Sequence, residues 1–152
     1  MSGNNKAFLE LEFPVAAMDF VRAGRVASQI KRALEQAGMP AGVVRRAAIA
    51  AYEAEMNIVI HSHGGVMRAR IAPSLVEIEA EDWGPGIPDI ELAMQEGYST
   101  APREILEMGF GAGMGLPNMR KCADRLDIRS EVGKGTQVVV SIFNAEPLEA
   151  RA

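Results

Sequence analysis

The chain has 152 residues, 48% of them hydrophobic and 24% charged, proportions that suit one domain with a single core and argue against global disorder. Its formal net charge of -4 offers no long-range attraction to nucleic acid, and the pairs Arg45-Arg46 and Arg120-Lys121 are too short to make a basic patch. No apolar run has the length of a membrane span or the placement of a signal peptide. The single cysteine, Cys122, excludes an internal disulfide, in keeping with a reducing cytoplasm.

Over residues 8–13, Leu9, Leu11 and Phe13 alternate with Glu10 and Glu12, the pattern of a half-exposed strand that Pro14 should end. Phe20, Ala23, Ala27, Ile30, Leu34 and Ala37 then recur at helical spacing as far as Gly38-Met39-Pro40, which predicts a long amphipathic helix with a clear stop. A second helix is expected over residues 42–61. On it Glu53, Asn57 and His61 recur every four residues, and at about 3.6 residues per turn they lie on one strip. A carboxylate and an amide on an Ala- and Ile-rich helix are costly to bury unpaired, so the strip faces either solvent or a polar ligand; the helix alone leaves both readings open.

Gly64-Gly65 makes a turn. Met67, Ala69 and Ile71 alternate with Arg68 and Arg70, and after Pro73-Ser74, Val76, Ile78 and Ala80 alternate with Glu77 and Glu79. Two antiparallel strands follow, with arginines and glutamates pairing across a wet face in a structural rather than a ligand-binding role. Residues 81–89, Glu-Asp-Trp-Gly-Pro-Gly-Ile-Pro-Asp, form a shaped turn with Asp82 placed to accept hydrogen bonds. Trp83 is expected as a partly buried turn aromatic.

Gly109, Gly111, Gly113 and Gly115 stand at alternate positions, which suits neither a helix interior nor a good strand. They read as a mobile loop whose amides could wrap a polyphosphate, leading into a helix that carries Leu116, Met119, Ala123 and Leu126. The spacing is neither the Walker pattern nor a Rossmann fingerprint, and a plain linker stays open. Met108, Met114 and Met119 read as packing residues, and Cys122 as core. A hairpin closes the chain, residues 126–132 and 136–143 joined by Gly133-Lys134-Gly135, and residues 145–152 are expected to fray.

Taken together and in order, these segments resemble the GHKL (Bergerat) ATP-binding fold shared by histidine kinases, gyrase-type ATPases and small anti-sigma-factor serine kinases. Glu53-x-x-x-Asn57 with His61 resembles the N box, Asp82-x-Gly84-x-Gly86 the first glycine box, Gly111-x-Gly113-x-Gly115-Leu116 the lid box, and Gly135-Thr136 the last box. Residues 81–89 and 97–100 are similar to the stressosome switch kinase, whereas the segment between Thr100 and Gly111 is nearer the sporulation and general-stress anti-sigma kinases.

The resemblance implies a two-layer α/β (α+β) sandwich, with a mixed, mainly antiparallel sheet covered on one face by helices, as a single ATP-binding domain ordered from about residue 7 to 144. It implies ATP and Mg²⁺ as cofactors. Glu53 would orient or deprotonate the attacking hydroxyl, Asn57 would ligate Mg²⁺, and Asp82 would accept the adenine amino group beside Gly84, Gly86 and Thr136. Gly111, Gly113, Gly115 and Leu116 would belong to the lid over the phosphates. Glu55 has no fixed place in this pattern and reads as a surface residue or one a layer removed from the ligand. His61 reads as an imidazole capping the helix end, and His61-x-His63 lacks the further ligands of a zinc site.

The implied activity is a cytoplasmic protein serine/threonine kinase whose substrate is a STAS-type antagonist, holding a sigma factor or a phosphatase in one nucleotide state and dimerising through the first strand. Two alternatives stay open: an ATP-gated binding module, against which Glu53 weighs, and an ATPase or histidine-kinase catalytic domain.

Overall fold

In a computed structural model, which describes residues 9–99, 101, 103–104 and 115–148, the alternating segments form one five-stranded sheet. Its strands are β1 (Leu9–Val15), β2 (Gly65–Ala72), β3 (Leu75–Asp82), β4 (Arg125–Glu131) and β5 (Gly135–Phe143), in the order β1-β2-β3-β5-β4. The helices that accompany them among the described residues include α1 (Arg25–Gln36), α2 (Ala41–His61), the short α3 (Ile90–Ala93) and α4 (Gly115–Cys122). No helix among the described residues is long and apolar enough to cross a membrane.

The sheet is antiparallel as mainly expected, and all of its pairings among the described residues are antiparallel, so the mixed component does not occur there. The helical connection from β3 to β4 does deliver a strand running in the same direction. It delivers it to the far side of β5, so the two like-directed strands never pair. β1 also departs from expectation by carrying Pro14 inside the strand, opposite Val66. Proline lacks the N–H of a ladder, and β1 tolerates it as an edge strand.

α2 packs between α1 and α4 and lies over β3 and β5. Its fully buried face is Ala47, Ala50, Ala51 and Ala54, small side chains that bring helix and sheet backbones close, while Ile58 and Val59 fill the wider end. From the sheet come Met67, Ala69, Ile71, Val76, Ile78, Val140 and Ile142, all within 1% of complete burial. Ile30 and Leu34 of α1 seal the side, and Met119 and Cys122 bring α4 into the same core, as their helical pattern implied. The helical layer therefore covers one face of the sheet.

The other face is wet. Arg68 pairs with Glu12 at 2.8 Å and with Glu79 and Glu81 at 3.2 Å each, and Arg70 reaches Glu79 at 3.0 Å. Burial pushes the Glu79 carboxyl upward, but hydrogen bonds from Gln137 and Arg70 outweigh it and hold the group below its usual range. The two arginines have the structural role their alternation implied.

Three boundaries moved, the first that of α4, which ends at Cys122, so that Ala123 lies beyond it and Leu126 stands on β4 instead of the helix. α1 begins at Arg25 rather than near Phe20, because Gly24 sits at φ 95° and Met18 at φ 61°, which turns the chain before the helix can start. At the far end, residues 145–148 do not fray at once. Asn144 Nδ2 and the Leu148 N–H both donate to the Pro73 carbonyl at 3.1 Å, and Leu148 packs on the core.

Candidate functional site

The strip read on α2 faces a cavity. Glu53, Asn57 and His61 all line a space of about 470 Å³ bounded by α2, the segment after β3 and the start of α4. Asp82, Gly86, Gly115, Leu116 and Thr136 line the same space. Gly84 does not: a Cβ there would stand 2.7 Å from the Cα of Ser62, so its place is underneath the loop, against the end of α2. Gly111 and Gly113 lie outside the described residues, as do Thr100, Met108 and Met114.

Asp82 ends β3 facing Thr136 of β5 across the ladder. Its Oδ1 accepts the Gly84 N–H at 2.9 Å. Burial dominates its electrostatics and raises the carboxyl above the usual aspartate range, opposed by the Gly84 and Thr136 N–H groups and by the charge of His63. Such a desolvated acceptor suits a donor on a ligand that brings its own apolar ring, and Ile60, Ile87, Leu92 and Val138 supply apolar wall for it.

Asn57 meets the start of α4, where a Cβ on Gly115 would stand 3.0 Å from its Oδ1. Glu53 accepts a hydrogen bond from Asn118 Nδ2 at 2.8 Å. Among the described residues no group of three or more His, Cys, Asp or Glu could hold a metal ion. Were a divalent cation bound here with a phosphate ligand, the Asn57 amide oxygen would be the side-chain oxygen that could join ligand and water oxygens around it.

The loop and hairpin around Asp82 are tied by a residue that sequence reasoning passed over. Ser130 Oγ accepts the Ile87 N–H at 2.6 Å, lies 2.9 Å from the Thr136 hydroxyl and donates to the Gly135 carbonyl at 3.2 Å. Ser62 closes α2, its hydroxyl donating to the Ile58 carbonyl at 2.8 Å and accepting the Gly64 N–H at 3.0 Å, while His61 lines the cavity. Burial lowers the pKa of the His61 imidazole, favouring its neutral form.

Glu55 corrects another expectation. It is 2% exposed and accepts the N–H groups of Val26 and Ala27 at the start of α1. Trp83, expected as partly buried, is 52% exposed, and the aromatic rings on the cavity wall are instead those of Tyr52 and Tyr98.

Residues 16–142 match the family of histidine kinase-like ATPase domains. The chain is 40% identical over 63 residues to the serine/threonine-protein kinase RsbT of Bacillus subtilis, which covers 41% of each protein. It is 37% identical over 91 residues to the anti-sigma F factor of Caldanaerobacter subterraneus subsp. tengcongensis, covering 57% of this chain and 60% of that one. The anti-sigma F factor of Clostridium acetobutylicum is likewise 37% identical over 97 residues, 60% of this chain and 64% of the relative. The chain thus spans about two fifths to under two thirds of these relatives.

Proposed function

The chain belongs to the histidine kinase-like ATPase family, and on that premise we propose that it is a cytoplasmic, ATP-dependent protein serine/threonine kinase of a sigma-factor partner-switching system. Its substrate would be a hydroxyl of a small STAS-type antagonist protein, and its nucleotide state would set whether it holds a sigma factor or a phosphatase. One observation carries this reading beyond nucleotide binding. Glu53, an ionisable carboxylate, shares the cavity wall with Asn57, whereas a clamp for nucleotide needs no base.

In the proposed arrangement Asp82 accepts the adenine amino group, and Gly86, Ile87 and Thr136 bound the ring. Glu53 orients the incoming serine or threonine hydroxyl and takes its proton as the phosphoryl group transfers. Asn57 is the protein's ligand to Mg²⁺, which supplies charge neutralisation at the phosphates when bound. Gly115 and Leu116 belong to the lid, with Gly111 and Gly113 before them in the chain. β1 pairs with β2 alone among the described residues, which leaves one backbone edge for a second copy of the chain.

The test is calorimetric titration with ATP and Mg²⁺ of the wild type and Glu53→Ala, followed by incubation with purified STAS proteins and labelled ATP. Label on a serine or threonine of one STAS protein, lost with Glu53→Ala while ATP still binds, is the expected result. Tight ATP binding with transfer to no partner would favour the ATP-gated binding module, and absent ATP binding would remove the site assignment.

A further inference from the structure

α4 runs back along the polar strip of α2 and touches it in three places. Near the start of α4, Gly115 packs against Asn57; in the middle, Asn118 donates to Glu53; at the end, the Cys122 carbonyl accepts Arg46 Nε at 2.9 Å. Positions 46, 53 and 57 thus meet 122, 118 and 115, an antiparallel register fixed by polar contacts as well as by core packing.

The middle contact has a chemical consequence. An ionised carboxylate only accepts hydrogen bonds, so the Asn118 amide must present its NH₂ to Glu53, and the orientation of the amide is dictated by its partner. A glutamate has three rotatable side-chain bonds, and a base free to sample them spends little time aimed at a substrate. With Oε2 held at 2.8 Å, the carboxylate is oriented and Oε1 is left for the incoming hydroxyl. Asn118 also lies three residues beyond Gly115, at the foot of the glycine segment, so its hold on Glu53 depends on where α4 sits.

We propose that Asn118 is a positioning residue for phosphoryl transfer: its amide fixes Glu53 in the orientation that receives the substrate hydroxyl and couples that orientation to the placement of α4. The inference rests on the reading of Glu53 as the base. It also makes a distinction that a packing role does not, because aspartate has the shape of asparagine but lacks the donor and sets a second carboxylate against the first.

The experiment compares wild type, Asn118→Ala, Asn118→Asp, Glu53→Gln and the double variant Glu53→Gln with Asn118→Ala. It measures thermal midpoint, ATP affinity, and the rate constant of transfer to a STAS substrate at saturating ATP. Expected are ATP affinities within about threefold of wild type and a transfer rate about 10- to 100-fold lower in Asn118→Ala, the scale on which small misplacements act. Asn118→Asp should be slower still, with a thermal midpoint lowered by the two facing carboxylates, and the double variant no slower than Glu53→Gln alone. The Asn118 side-chain NH₂ signal in ¹H–¹⁵N spectra should move on Glu53→Gln, a readout that needs no activity. Transfer that depends on Glu53 but proceeds at the wild-type rate in Asn118→Asp overturns this inference alone. Transfer that survives Glu53→Gln, or no transfer by the wild type, overturns the base reading and this inference with it.

Discussion

Glu55 of α2 reaches across the helix pair and takes the backbone N–H of Ala27 on Oε1 at 3.0 Å, with the neighbouring N–H of Val26 on Oε2 at 3.2 Å. The first N–H groups of any helix lack intrahelical partners, and α1 starts after Gly24, which has no side chain to cap them. A carboxylate from the next helix does so instead and meets the positive end of the α1 dipole. Removing it would leave two buried donors unsatisfied. Glu55→Ala should therefore destabilise by about 2–4 kcal/mol in urea unfolding, from the cost of unpaired buried donors, and Glu55→Gln by less because one acceptor remains. ATP affinity should stay near wild type, since Glu55 does not line the large cavity. A loss below about 0.5 kcal/mol, the scale of an ordinary surface change, would show that the amides do not depend on it.

Gly86 is tested by contrast with Gly97. Both have positive φ, 81° and 86°, so alanine at either is strained by about 1–2 kcal/mol. They differ in surroundings: a Cβ on Gly86 would stand 2.5 Å from the Glu131 carbonyl oxygen, whereas on Gly97 it meets no atom of the described residues within 4 Å. The Gly86 segment is pinned to the β4–β5 hairpin by Gly133 N–H to the Pro85 carbonyl at 2.8 Å and by Ile87 N–H to Ser130, so it cannot yield without moving the cavity wall. Gly86→Ala should lower the thermal midpoint more than Gly97→Ala and weaken ATP binding by about tenfold or more, the equivalent of roughly 1.4 kcal/mol. Equal behaviour of the two variants would refute the close-approach argument.

Much of this architecture was legible because it is local. The alternation of Met67, Ala69 and Ile71 with Arg68 and Arg70 marks a strand with one wet face, and the four-residue recurrence of Glu53, Asn57 and His61 marks a strip, whatever the rest of the chain does. The misses are contacts between segments far apart in sequence. Nothing near Glu55 announces that its partners lie 28 and 29 residues earlier, and an isolated Asn118 or Ser130 carries no periodic signal. The apolar spacing of Phe20 and Ala23 is real, since both pack toward the core or stand half-buried. It arises from a turn rather than a helix, a distinction set by the φ of Gly24. Strand order was out of reach for the same reason: the two hairpins are local, but the insertion of β5 between β3 and β4 is not.

Asp124 gives a pH-dependent prediction. The Phe143 N–H at 2.7 Å stabilises its ionised form most; burial opposes it, and Arg46 at 2.8 Å adds to the Phe143 effect, so the pKa lies below the ordinary 3.8. A carboxyl depressed in the folded state contributes stability that is present above the unfolded value, near 3.8, and is lost as pH falls through the folded value. Asp124→Asn should cost about 1 kcal/mol at pH 7, near the top of the range for a partly exposed pair. The difference from wild type should shrink in unfolding curves taken below about pH 4, the ordinary aspartate range. A gap that persists undiminished in acid would mean that shape rather than charge holds Asp124 in place.

Asp82 should behave in the opposite sense. Burial, the largest influence, raises its pKa above 3.8 in spite of the Gly84 and Thr136 N–H groups and His63. A carboxyl raised in the folded state contributes stability that is fully present below the unfolded value and is lost as pH rises through the folded one. At pH 7 its ionised form is therefore a cost of folding. Asp82→Asn keeps an oxygen for the Gly84 N–H and sheds the buried charge, while losing the acceptor for Thr136. Its apo stability at pH 7 should accordingly stay within about 1 kcal/mol of wild type, the scale of one net hydrogen bond. ATP affinity should fall about 10- to 100-fold, the equivalent of about 1.5–3 kcal/mol for a lost hydrogen bond to a charged acceptor. ATP titration and urea unfolding of the same preparation separate the two effects. Unchanged affinity in Asp82→Asn would take the adenine contact away from this residue and, with it, the orientation of nucleotide along the cavity.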